Sequence, residues 1–160
     1  RRQRQMCIRD SPYLSGSLTG DYWLFQILVK ELLPAGTVMH IKFITRSAAG
    51  AARYWSLEYF DNESWKPIAT QRTAEVAGEK VVYTLDLVED LTGNKKVGTD
   101  NAQIDNDFTL SAQIAAGGLL QCRLRCVADI ACNGVNPNTG NHRLAGAVGT
   151  SPVISVVSID

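Results

Sequence analysis

Alternation of apolar and polar side chains recurs along this 160-residue chain, and it restricts the possible folds more than any other feature. Residues 38–46, VMHIKFITR, set Met39, Ile41, Phe43 and Thr45 against His40, Lys42, Ile44 and Arg46. Successive side chains of a strand point to opposite faces, so a period of two predicts a half-buried strand. The pattern returns in VVYTLDL (81–87), FTLSAQI (108–114) and VISVVSI (153–159). In LQCRLRCV (120–127) it turns Leu120, Cys122, Leu124 and Cys126 inward and Gln121, Arg123 and Arg125 outward. YWLFQILV (22–29) is apolar on both sides, as a central strand would be. Turn-forming clusters separate these runs: PAG, DNES, AGE, TGN, AGG and NPNTGN. The polar stretch 89–107 reads as a loop, and no amphipathic helix competes with the strands. Seven strands, eight with RQMCIR near the start, predict an all-β chain folded as an antiparallel β-sandwich. No linker or repeat divides it, so residues 1–160 are expected to form a single domain.

Sixteen basic residues offset sixteen acidic ones. That balance argues against nucleic acid as a partner, because neutralising a phosphate backbone needs a basic excess. No run approaches the roughly 18 apolar residues of a membrane-spanning helix, so no transmembrane segment is expected. Four cysteines are present: Cys7, Cys122, Cys126 and Cys132. On one strand Cys122 and Cys126 would lie about 13 Å apart, beyond the reach of a disulfide. Buried thiols, a Cys126–Cys132 bridge and a bridge through Cys7 all fit what remains.

The stretch RYWSLEYFDNESWKPI (53–68) concentrates aromatic residues. A strand over 54–60 sends Trp55, Leu57 and Tyr59 to the core and Tyr54, Ser56, Glu58 and Phe60 to the other side. DNES then turns the chain, and Trp65 follows. Two readings fit Trp65: it staples the turn to the sandwich, or it stands exposed for a ligand. Sugar rings stack their C–H faces on flat aromatics, while their hydroxyls need planar hydrogen-bonding groups. A face shared by Tyr54, Glu58, His40, Lys42, Arg123 and Arg125 would supply both. The bland alternative is a solvated face with cross-strand ion pairs.

The succession LPAGTVMHIKF, YWSLEYFDNESWKPI and LLQCRLRCV resembles the galactose-binding-like jelly rolls over roughly residues 20–130. That family includes carbohydrate-binding and accessory domains of secreted bacterial glycan-handling proteins. The resemblance implies a jelly-roll-like sandwich, with Trp65 and Arg123 or Arg125 at ligand-facing positions.

Other chemistry is sparse. No nucleophile elbow, zinc-protease or phosphate-loop motif occurs. His40 reads as a strand residue and His142 as surface decoration. A catalytic carboxylate pair would have to come from Glu58 with Asp61 or Asp129. Asp100, Asp105 and Asp107 offer oxygen donors for a structural calcium, although a solvated loop explains them as well. No other cofactor is implied, and no metal ligand set is nominated. The expected protein is thus a secreted or cell-surface module, not an enzyme, that binds a carbohydrate or glycan through Tyr54, Glu58, Trp65, Arg123 and Arg125. The alternative is a structural or protein-interaction sandwich that docks to neighbouring domains, marked by an exposed apolar patch.

Overall fold

A computed structural model describes residues 3–5, 13–15, 20–68, 70–88, 101–134, 140–144 and 154–159, with positions 3–5, 13–15 and 101–102 described by backbone alone. Every regular element among them is a strand. In chain order these are β1 (Gln3–Gln5), β2 (Tyr13–Ser15), β3 (Tyr22–Leu28), β4 (Val38–Ser47), β5 (Tyr54–Phe60), β6 (Trp65–Pro67) and β7 (Arg72–Val76). They continue with β8 (Glu79–Tyr83), β9 (Leu85–Asp86), β10 (Asn101–Thr109), β11 (Leu119–Cys126), β12 (Asn141–Arg143) and β13 (Ser155–Ile159).

Two sheets form the sandwich. The first, sheet A, runs β1-β3-β11-β5-β6, with β9 sharing the outer edge of β5 beside β6. The second, sheet B, runs β10-β4-β12-β2, with β13 beside β12 on β4. The β1–β3 pairing is parallel, and the other described pairings are antiparallel. The fold is therefore all-β and sandwich-like.

The alternation expected for β4 and β11 is realised residue by residue, whereas β5 is buried on both faces from Tyr54 to Tyr59. Met39, Ile41 and Phe43 face Trp23, Phe25, Leu57, Cys122 and Leu124 in one buried cluster. Phe25 meets Phe43 edge-on at 5.4 Å between centroids, and Tyr59 meets Phe108 at 5.0 Å. Cys122, Cys126 and Cys132 are buried thiols, and burial pushes them up to about 12, 12 and 11. Cys7 lies outside the described residues.

Four expectations need correction. The expected loop 89–107 gives way to β10 from Asn101 onward, because Ile104 and Phe108 enter the core and the ladder to β4 supplies its backbone bonds, and the strand expected over 108–114 ends at Thr109. Residues 81–87 do not form one strand: β8 pairs with β7 in a separate hairpin, and β9 returns to sheet A. The Arg53 guanidinium anchors that return by gripping both oxygens of Asp86 at 3.0 Å. β3 is buried on both faces only over Trp23, Leu24 and Phe25, since Gln26 is exposed and Leu28 is 60% exposed.

The fourth correction concerns His142, which is fully buried. Trp23 Nε1 donates to its Nδ1 at 2.9 Å, so the ring proton sits on Nε2 and points at the Thr45 hydroxyl. Thr45 in turn donates to the Arg143 carbonyl at 3.0 Å, and the ring stacks on Trp55 at 4.3 Å. The neutral ring thus satisfies both nitrogens between the two sheets. Gly140 lets β12 come this close: a Cβ there would lie 2.5 Å from Ala51 N.

Burial pushes the His142 pKa down to about 3, from an ordinary 6.5. Between those values the unfolded chain takes up a proton that the folded chain refuses, so stability falls as pH drops through 6.5. With His40→Gln as background, urea unfolding should show a loss of about 2 kcal/mol between about pH 7 and about pH 5. Adding His142→Gln should abolish that drop; an equal drop in both proteins would assign it to other groups. The β7–β8 turn gives a second test, because Ala77 holds φ 52° ahead of Gly78. Ala77→Gly should raise stability by ~0.5–1 kcal/mol in the same assay, since only glycine enters the left-handed region without penalty.

Candidate functional site

The outward side chains of sheet A converge on one carboxylate. Glu58, central in β5, lies opposite Arg123 of the neighbouring β11, and Ser56 lies opposite Arg125. Period two turns all four to the same face, and the two arginines close over the acid. Arg123 Nε donates to Glu58 Oε1 at 2.6 Å. Arg125 donates through Nε to Oε1 and through Nη2 to Oε2, both at 3.2 Å. Ser56 Oγ completes the shell with a 3.1 Å bond to Oε2. Glu58 is 7% exposed. Burial alone would raise its pKa, but the Arg125 and Arg123 guanidiniums outweigh that and hold it below the ordinary carboxylate value.

Aromatic rings flank the pair. Strand order places β11 between β3 and the β5–β6 edge, so Tyr22 and Trp65 approach Arg123 from opposite sides. The guanidinium carbon lies 4.2 Å from the Trp65 ring centroid and 5.2 Å from that of Tyr22. Phe60 backs Trp65 at 5.2 Å. Trp65 is half-buried and stapled to the sheet by Arg123, so only part of its ring meets solvent. Along the same face Gln26 donates to Gln121 at 3.2 Å, next to the Leu28–Leu119 pair.

Four of the five sequence-selected residues therefore meet: Glu58, Trp65, Arg123 and Arg125. Tyr54 does not join them as a free ring. It is 7% exposed, packed at 4.6 Å on Tyr83 of the β7–β8 hairpin and beneath Arg53. His40 and Lys42 belong to β4 and face outward on sheet B, away from the arginines. Tyr22 was missed as a wall of the site, although its place one residue before inward Trp23 puts it on the face of Gln26.

Asp105 and Asp107 project from β10 to opposite ring nitrogens of His40, at 2.6 and 2.5 Å. Among the described residues no group of three or more His, Cys, Asp or Glu is arranged to hold a metal, and Asp100 lies outside them. Asp61 accepts from the Glu63 and Ser64 backbone and orders the turn before Trp65. A separate crevice of about 430 Å³ opens at the sandwich edge, lined by Leu57, Ile68, Leu85, Ile104, Arg72 and Asn106 among others. Leu57, Ile68, Leu85 and Ile104 belong to the main core cluster, which identifies the crevice as the seam between the sheets.

Glu58 thus acts as the keystone of the arginine pair. Glu58→Gln should destabilise the protein by about 1–3 kcal/mol in urea unfolding at neutral pH, because it leaves two close guanidiniums without a counter-charge. Since the folded carboxyl titrates below its unfolded value, its contribution is present above about pH 4.5 and fades as pH falls further. An unchanged unfolding midpoint would show the ion pairs to be energetically neutral.

Comparison with models of known protein families gives no match, and neither does comparison with curated proteins.

Proposed function

We propose that this sandwich is a noncatalytic binding module of a secreted or cell-surface protein, with carbohydrate as its ligand class, on a galactose-binding-like jelly roll. The observation that carries the reading is the Arg123–Glu58–Arg125 cluster held between Tyr22 and Trp65. Such a face offers flat aromatic surface beside planar, multivalent donors, the two things a sugar's C–H face and hydroxyls require. Its donors are held in place before any ligand arrives, which lowers the ordering cost of binding. The state of Glu58 supports the noncatalytic part of this reading, since it makes a poor general acid. A general acid needs a raised pKa to carry a proton at neutral pH, whereas Glu58 is held ionised by two cations.

A specific observation also favours the protein-interaction reading. Val38, Val157 and Ile159 are 37%, 51% and 44% exposed, and register sets Ile159 beside Val38 and Val157 beside His40 on sheet B. An apolar strip on an outer sheet face suits a neighbouring domain.

The tryptophans make the carbohydrate reading testable. Trp23 and Trp55 are fully buried, leaving Trp65 as the ring accessible to a neutral quencher. Acrylamide quenching of the unaltered protein should fall when a bound soluble polysaccharide covers the face. Trp65→Phe should abolish the change. No protection across a broad glycan panel, with a protein partner captured through Val157 and Ile159, would favour the interaction reading instead.

A further inference from the structure

We propose that Arg123 and Arg125 form an anion subsite for the carboxylate of an acidic sugar, so that the glycan contains uronic acid residues. This deepens the carbohydrate reading and rests on it. Charge arithmetic is the first ground: two guanidiniums share one carboxylate, which leaves one positive charge. Tyr22, Gln26, Ser56, Phe60 and Gln121, which surround the cluster on the same face, are all uncharged.

Unused donors are the second ground. Arg123 spends only Nε on Glu58, and Arg125 spends Nε and Nη2. Both terminal nitrogens of Arg123 and Nη1 of Arg125 have no protein partner among the described residues, yet none is a buried orphan. They open to solvent from side chains that are only 16% and 28% exposed. Each arginine is thus fixed along its stem and free at its tip. Guanidinium donors lie in the plane of the group, and a carboxylate matches their spacing. Tyr22 and Trp65 limit water around Arg123 on both flanks, which strengthens its attraction for an anion. The same rings provide the apolar surface for the sugar that carries the carboxylate. A neutral sugar could use the rings and donors, but it would leave the surplus charge unanswered.

Calorimetry on the unaltered chain tests this with oligosaccharides of polygalacturonate, glucuronan and alginate, each beside its carboxyl-reduced counterpart. Reduction converts the carboxylate to a hydroxymethyl group and keeps the sugar backbone. At least one acidic oligosaccharide should bind about tenfold or more tighter than its reduced form. That preference should shrink as salt rises from about 50 to about 500 mM, because an exposed charge is screened. Arg125→Gln should remove the preference, and Arg125→Lys, which keeps the charge without the fork, should restore part of it. If reduced or other neutral glycans bind as tightly as acidic ones, the anion subsite is wrong and the glycan reading stands. If neither acidic nor neutral glycans bind, both are wrong. A preference that survives in folded Arg125→Gln would place the anion elsewhere and overturn the assignment. Should the variants not fold, the acidic-against-reduced comparison and its salt dependence still decide on the unaltered protein.

Discussion

A neutral histidine sealed between two tryptophans joins the two sheets. His142 accepts from Trp23 of β3, points its remaining proton at Thr45 of β4 and lies flat on Trp55 of β5. Three strands from two sheets are thereby tied to one ring carried on the three-residue β12. A fully buried imidazole is tolerable only because it is uncharged and both nitrogens are satisfied. Trp55 uses its own indole N–H elsewhere, on the Ala52 carbonyl at 2.9 Å. Both indole N–H groups and both imidazole nitrogens of this cluster are thus satisfied within the protein.

What happens inside sheet A determines what happens outside it. In a pleated strand the orientation of one side chain dictates that of the next. With Trp23 held inward by His142, Tyr22 must face out. With Trp55 and Leu57 inward, Ser56 and Glu58 must face out, and inward Cys122, Leu124 and Cys126 send Arg123 and Arg125 the same way. Register then sets Arg123 opposite Glu58 instead of one residue away. A slip of one position would bring the arginines into the core and strip them of their counter-charge. The direction in which the face's side chains point is therefore set by the core beneath it.

Period two made β4, β5 and β11 legible in the sequence, and with them the side on which Glu58, Arg123 and Arg125 stand; β3 was legible as an apolar run. Adjacency was not legible, because alternation fixes a residue's face but not its neighbouring strand. His40 and Lys42 show the same outward pattern as the arginines yet sit on the other sheet. Tyr54 shares Glu58's side of β5, but the β7–β8 hairpin folds over it, a tertiary event with no local signal. Polarity hid β10: Asp105 and Asp107 look like loop residues until their pairing with His40 across the ladder is known. His142 follows a turn-rich segment in which nothing announces burial, and its role depends on partners 119 and 97 residues away.

Net charge is a sum, and binding reads its local terms. Sixteen cations against sixteen anions speak against a ligand that needs many phosphates neutralised along its length. They do not weigh against a ligand whose charges come one per sugar ring, because such a ligand needs one surplus cation at one place. Glu58 is what converts two neighbouring arginines into such a place. Without it their mutual repulsion would splay the side chains into solvent; with it they stand side by side, share its oxygens and retain one unit of charge. In the binding module proposed above, a carboxylate buried in the sheet would thus serve recognition without touching the ligand, by fixing where the cations are and how much of their charge remains.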